Sequence, residues 1–188
     1  MPGLEVVRAG EEQRAVTLVL GGVRSGKSRF AQKLAAKASS VAFVATARAV
    51  DAEMQDKIRR HQQERPRHWR TVEEPLELAR TLVECSPRFE ILLVDCLTFF
   101  IANVLESEPK TLETRIDGLV NALETVSASV VLVSNEVGSG VVPPYPAGRQ
   151  FRDLLGEVNQ KVAAVADNVV LMVAGLPLTL RGQIEVRP

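Results

Sequence analysis

Val16-Thr-Leu-Val-Leu20-Gly21-Gly22-Val23-Arg24-Ser25-Gly26-Lys27-Ser28 is the stretch that decides the fold. Val16 to Leu20 is an apolar run of the length of a buried strand, and Gly21 to Ser28 fits the pattern G-x-x-x-x-G-K-[ST]. Behind it Phe30, Ala31, Leu34, Ala35 and Ala38 recur at helical spacing. A strand, a glycine loop and a helix in this order make a phosphate cradle. The glycines let the backbone curl until successive N–H groups converge on phosphate oxygens, beside the positive end of the helix. Lys27 then reaches the β- and γ-phosphates, and Ser28 offers its hydroxyl to Mg²⁺. The whole loop, Gly21, Gly22, Val23, Arg24, Ser25, Gly26, Lys27 and Ser28, is therefore expected to bind a nucleoside triphosphate with Mg²⁺.

Outward from this loop the same alternation continues. Val41–Thr46, Ile91–Asp95, Val130–Ser134 and Val169–Val173 read as further buried strands, and Leu178–Leu180 as a short edge strand. Helices are expected at 51–65, 76–84, 98–106, 110–127 and 149–166, with 65–75 a polar connection and 137–148 a Gly/Pro-rich loop. The 110–127 stretch is the clearest, with Leu112, Ile116, Leu119, Val120, Leu123 and Val126 on one face. Continuous apolar strands alternating with helices predict an α/β fold, a mostly parallel sheet covered on both faces. With 188 residues, 16–188 is read as one domain and 1–15 as a flexible N-terminal extension.

Bulk properties narrow the function. Lys and Arg number 23 against 23 Asp and Glu, so no long-range attraction to nucleic acid or membrane is expected. Cys85 and Cys96 lack metal-ligand spacing and read as free thiols of a reducing compartment. No apolar run reaches the roughly 18 residues of a membrane span, and the N-terminal segment has no signal-peptide core. A cytoplasmic protein is expected.

In a parallel sheet, ligands bind beyond the carboxyl ends of the strands. Asp95 ends its strand there, where such folds keep a second Mg²⁺-directing carboxylate. Asn135 and Glu136 end the next strand and lead into the long 137–148 loop, the length and place of a substrate loop. The segment 57–70 is unusual, carrying six Lys/Arg residues and both histidines, His61 and His68. It admits two readings. One is a solvated basic helix, with His61 on the inner stripe beside Met54 and Ile58. The other is a polyphosphate site in which Arg60 and Arg65 keep His61 neutral and nucleophilic and stabilise a departing pyrophosphate.

Taken together these pieces resemble the bifunctional adenosylcobinamide kinase / adenosylcobinamide-phosphate guanylyltransferase family of cobalamin assembly. The likeness rests on Leu20–Arg29, Val44–Thr46, Asp51–Met54, Ile58–Trp69 and Asn135–Gly138 with Gly140, Val142 and Pro143. Arg149–Asp153 and Asn159-Gln160 complete it. The resemblance implies a RecA-like P-loop NTPase fold, a trimeric assembly, and ATP, GTP and adenosylcobinamide as substrates. It also implies transfer of GMP through a guanylylated histidine, which by position is His61. Some relatives carry two adjacent histidines where this chain has Arg60-His61, and some have Glu at the position of Asp95. Two rival functions remain on the residues alone: a plain small-molecule kinase with the basic segment as a lid, and a GTP-binding regulatory module.

Overall fold

A computed structural model describes residues 14–48 and 65–184 of the chain. Seven strands are present among them: β1 (Val16–Gly21), β2 (Val41–Ala45), β3 (Arg70–Glu73), β4 (Ile91–Asp95), β5 (Ser129–Asn135), β6 (Asn168–Val173) and β7 (Leu176–Arg181). They form one sheet in the order β3-β2-β4-β5-β1-β6-β7. Every neighbouring pair is parallel except β6 with β7. The helices are α1 (Lys27–Ala35), α2 (Leu78–Cys85), α3 (Leu97–Ser107), α4 (Leu112–Thr125) and α5 (Pro146–Val165).

The period-2 alternation of side chains divides the core into two layers. Val16 and Leu18 of β1, Ala42 and Val44 of β2, Leu92 and Val94 of β4, and Val130 and Leu132 of β5 meet Leu82, Phe100, Leu119 and Val158 of α2 to α5. Val19, Phe43, Leu93, Val131 and Val133 face the other way, against Phe30, Ala31 and Ala35 of α1. Burial on both faces is why these strands read as unbroken apolar runs. Each fully buried Leu or Phe contributes about 1.5–3 kcal/mol, so the two layers are the main hold on the fold.

Most boundaries shift by a residue or two, the edge strand expected at 178–180 runs Leu176–Arg181, and three further differences have a physical reason. The polar stretch 65–75 contains β3, three of whose four residues are exposed and whose only strand-favouring residues, Thr71 and Val72, sit between charged ones. Its backbone pairs with β2, Phe43 opposite Thr71 and Val44 opposite Val72, so main-chain hydrogen bonding to an existing edge makes the strand. The helix expected from 149 begins at Pro146, since proline suits a first helical position whose N–H has no intrahelical partner. The helix expected from 110 opens as a 3₁₀ turn, Pro109–Thr111, before α4. The helix expected at 51–65 lies, apart from Arg65, outside the described residues.

Candidate functional site

The register places Gly21 opposite Asn135, Ala45 opposite Asp95, and Asp95 opposite Val133, so the ends of β1, β2, β4 and β5 share one edge. The glycine loop rises from that edge. A Cβ on Gly21 would sit 2.4 Å from Ser25 Oγ and 2.9 Å from the Met172 carbonyl oxygen, so no side chain fits. Gly26, at φ 93°, turns the chain into α1, and Arg24 at φ 58° shares the left-handed curl. Gly22 has open space around it, and Val23 is 85% exposed. Ser28 lies in the first turn of α1. Ser25 is buried, and its hydroxyl has no hydrogen-bond partner among the described residues.

Lys27 Nζ donates to the Gly22 carbonyl across the loop at 3.0 Å. Burial pushes its ammonium below the usual lysine value, with Cys96 and Asp95 pulling the other way. Burial also pushes the Cys96 thiol up to about 11, so it is uncharged near neutrality, and Asp95 is the anion Lys27 feels there. The Asp95 charge also acts on Arg65. Burial lowers its pKa, while Asp95 and then Glu73 raise it. Its guanidinium lies 3.4 Å from the centroid of the Phe43 ring, and Nη1 donates to Thr71 Oγ1 at 3.3 Å. Lys27 and Arg65 therefore share the electrostatic influence of Asp95. His61 and Arg60 lie outside the described residues.

The backbone around Asp95 is clamped. Thr46 Oγ1 accepts from the Cys96 N–H at 2.8 Å and donates to the Cys96 carbonyl at 2.7 Å. Asn103 Nδ2 donates to the Thr46 carbonyl at 2.7 Å, tying α3 to the same point. Thr98 Oγ1 accepts from both the backbone N–H and Nδ2 of Asn135, each at 3.1 Å, and Asn159 Nδ2 donates to the Asn135 carbonyl at 3.0 Å. Glu136 is joined to the cradle by its backbone, its N–H donating to the Gly21 carbonyl at 3.1 Å. Its carboxylate turns onto its own loop, accepting from Gly138 N–H at 2.8 Å and Ser139 N–H at 3.3 Å.

Thr98 and Gly175 lie outside the residues that the sequence motifs mark. Thr98 is one hydroxyl on a helix and carries no pattern. Gly175 did carry one: Ala174-Gly175 joins β6 to β7 with φ 51° and 82°, the positive pair of a tight hairpin turn. Its N–H donates to the Ser25 carbonyl at 3.0 Å, bracing the phosphate loop from outside the motif.

Among the described residues no three His, Cys, Asp or Glu side chains cluster into a metal site. The available donors, the Ser28 hydroxyl and the Asp95 carboxylate, are oxygens. That set suits Mg²⁺, which takes few protein ligands and completes its shell with phosphates and water.

The sequence pattern of the family described as cobinamide kinase / cobinamide phosphate guanyltransferase matches residues 17–180. The bifunctional adenosylcobalamin biosynthesis protein CobP of Pseudomonas aeruginosa is 44% identical over 168 residues, 88% of this chain and 97% of that protein. CobU of Escherichia coli, described in the same words, is 38% identical over 179 residues, 87% of this chain and 98% of its own. Among solved structures, an ATPase of a bacterial type III secretion system superposes with a TM-score of 0.57 at 11% identity over 88% of this chain. The chain spans 56% of that ATPase, and the likeness is one of fold: a RecA-like P-loop NTPase.

Proposed function

We infer that this chain, which belongs to the cobinamide kinase / cobinamide phosphate guanyltransferase family, phosphorylates adenosylcobinamide with ATP or GTP and then transfers GMP from GTP to the new phosphate. The products of the second step are adenosylcobinamide-GDP and pyrophosphate. The observation that carries this reading is the Gly21–Ser28 loop, with Lys27 bonded across it, at the sheet edge that Asp95 also ends, in a chain matched by the family along nearly its whole length.

In the kinase step the loop N–H groups and Lys27 hold the β- and γ-phosphates. The acceptor hydroxyl attacks the γ-phosphorus and releases its proton to solvent, the bond from that phosphorus to the bridging oxygen breaks, and the nucleoside diphosphate leaves. Lys27 gives up its hydrogen bond to Gly22 and turns its charge to the transferring group, where stabilisation counts most. Ser28 and Asp95 are the residues that would hold Mg²⁺, which shields the phosphate charge when bound. Gly21, Gly22, Val23, Arg24, Ser25 and Gly26 supply the backbone of the cradle, and Glu136 shapes its rim.

In the guanylyl step His61 is the nucleophile. Its neutral imidazole nitrogen attacks the α-phosphorus of GTP, the bond to the β-phosphate oxygen breaks, and pyrophosphate departs. Arg60 and Arg65 stabilise the leaving charge. A phosphate oxygen of adenosylcobinamide-phosphate then displaces the histidine, breaking the P–N bond and restoring His61.

Residues 16–188 act as one catalytic unit in this reading, in the cytoplasm and as a trimer. The β6–β7 ribbon supports assembly: Val173 opposite Leu176, beside Leu171 opposite Leu178, puts half-exposed apolar side chains on one face of an open edge. No helix among the described residues is long and apolar enough to cross a membrane.

The test is incubation with α-phosphate-labelled GTP and Mg²⁺. Wild type should acquire acid-labile, alkali-stable label, and His61→Ala should lose it while still phosphorylating cobinamide. An unlabelled wild type overturns the guanylyl-histidine step, and no cobinamide-phosphate overturns the kinase step.

A further inference from the structure

We propose that the loop Val141-Val142-Pro143-Pro144-Tyr145 is the seat of the corrin ring of the acceptor, an assignment that rests on the preceding reading of the acceptor as a cobinamide. Its side chains are displayed rather than packed: Val141 is 95% exposed, Tyr145 74% and Val142 57%. A floppy surface loop could show such values without meaning. This loop is pinned.

At its start the Glu136 carboxylate holds the N–H groups of Gly138 and Ser139. At its end Arg149 Nη1 donates to the Pro143 carbonyl at 3.1 Å and the Pro144 carbonyl at 2.8 Å. Gly148 packs so closely that a Cβ there would lie 2.8 Å from Pro143 Cβ. Two charged side chains and two prolines thus hold apolar groups towards water. An apolar surface held rigid in this way is the preorganised half of a contact, because the ordering entropy is spent before the ligand arrives.

Position says which ligand. The loop leaves β5 through Glu136, whose N–H bonds the Gly21 carbonyl of the phosphate loop, so it rises directly beside the cradle. A group transfer needs its acceptor next to the γ-phosphate, and this is the adjoining surface. Exposed Val23, on the loop from the neighbouring strand β1, extends the apolar rim. Chemistry excludes a second nucleotide: residues 137–146 contain no charged side chain to meet phosphate. A corrin fits instead. Its faces carry methyl groups for valine, proline and tyrosine to cover, and its amide-bearing rim meets the exposed Ser139 and Gly140 backbone.

The proposal is tested with Val141→Asp and Tyr145→Ala, at positions too exposed for either change to disturb folding. Phosphorylation is followed at saturating ATP with cobinamide varied, and cobinamide binding is measured separately by equilibrium dialysis. Val83→Asp, an exposed apolar position on α2, outside the loop, is the control. We expect the KM and the dialysis constant for cobinamide to rise roughly tenfold or more in each loop variant, while the KM for ATP holds. An unchanged cobinamide constant in an active protein overturns the loop assignment alone. A fall in particle mass by sedimentation also overturns it, since the loop would then be a contact between copies. A wild type that neither binds nor phosphorylates cobinamide overturns both the assignment and the acceptor reading beneath it.

Discussion

Lys27 carries its charge at a disadvantage until phosphate arrives. Burial lowers its pKa, and its ammonium donates to the Gly22 carbonyl. Nucleotide phosphates would raise that pKa again by supplying nearby negative charge. The sign follows: between the lowered value and the value in the complex, binding takes up a proton, so nucleotide affinity falls as pH rises through the free-state pKa of Lys27. Calorimetry in buffers of different ionisation heat measures that uptake directly. Lys27→Met should abolish it and slow phosphoryl transfer roughly 10²–10³-fold, the cost of losing one preorganised donor to the transferring group. Retained proton uptake in the variant would locate the titration elsewhere. The same scale shows what sequence pattern reads well. Lys27, Ser28, Gly21 and Gly26 are spaced by the chain itself, so the motif states their roles. The shared influence of Asp95 on Lys27 and Arg65 is only partly legible, because it depends on three distant segments brought to one sheet edge.

At the scale of elements, α4 shows packing and polar anchoring working together. Ile116, Leu119 and Leu123 bury its inner face, as its periodicity requires. Its first turn is anchored by Arg115, whose side chain is 14% exposed. Arg115 donates to Thr111 Oγ1 and the Leu76 carbonyl, each at 2.9 Å, and pairs with Glu77 and Glu108. Arg115→Met leaves those acceptors to find water and should cost about 1–3 kcal/mol in urea unfolding, without weakening nucleotide binding. The Glu108 carboxyl is held below its usual range by Arg115, so this contribution is present above the ordinary carboxylate pKa and is lost as pH falls through the folded value. In the Met variant that acid dependence should shrink; an unchanged acid limb would show the pair to be silent. β3 is the counter-case to α4. Thr71 and Val72 alone in Arg70-Thr-Val-Glu73 favour a strand, too short a signal to announce one, and the edge of β2 completes it.

The whole molecule ends in an unusual edge. All six residues of β7 are exposed, including Leu176, Leu178 and Leu180, and an open apolar edge strand is a surface that invites pairing. Arg181 secures the ribbon by donating to the carbonyls of Ala163 and Ala166 at the end of α5, so the edge is presented rather than frayed. If copies assemble through it, Leu178→Glu should reduce the particle mass in sedimentation to that of one chain, while the monomer stays folded because Leu178 contributes little to the core. An unchanged mass would move the contact to another face. The turn of this ribbon also bonds the phosphate loop through Gly175 and Ser25, so the edge and the cradle share one hairpin. By itself the sequence determined the phosphate loop, the buried strands of a doubly covered sheet and the family, because each is written in local spacing: glycines for curl, apolar runs for burial, helical periodicity behind them. Tertiary structure alone decided the rest. The β3 strand, the influence of Asp95 on Lys27 and Arg65, the Thr98–Asn135–Asn159 chain and the brace from Gly175 all join residues far apart in the chain. Their energies arise only when the sheet order brings them within hydrogen-bonding or Coulombic range, and no local pattern encodes that order.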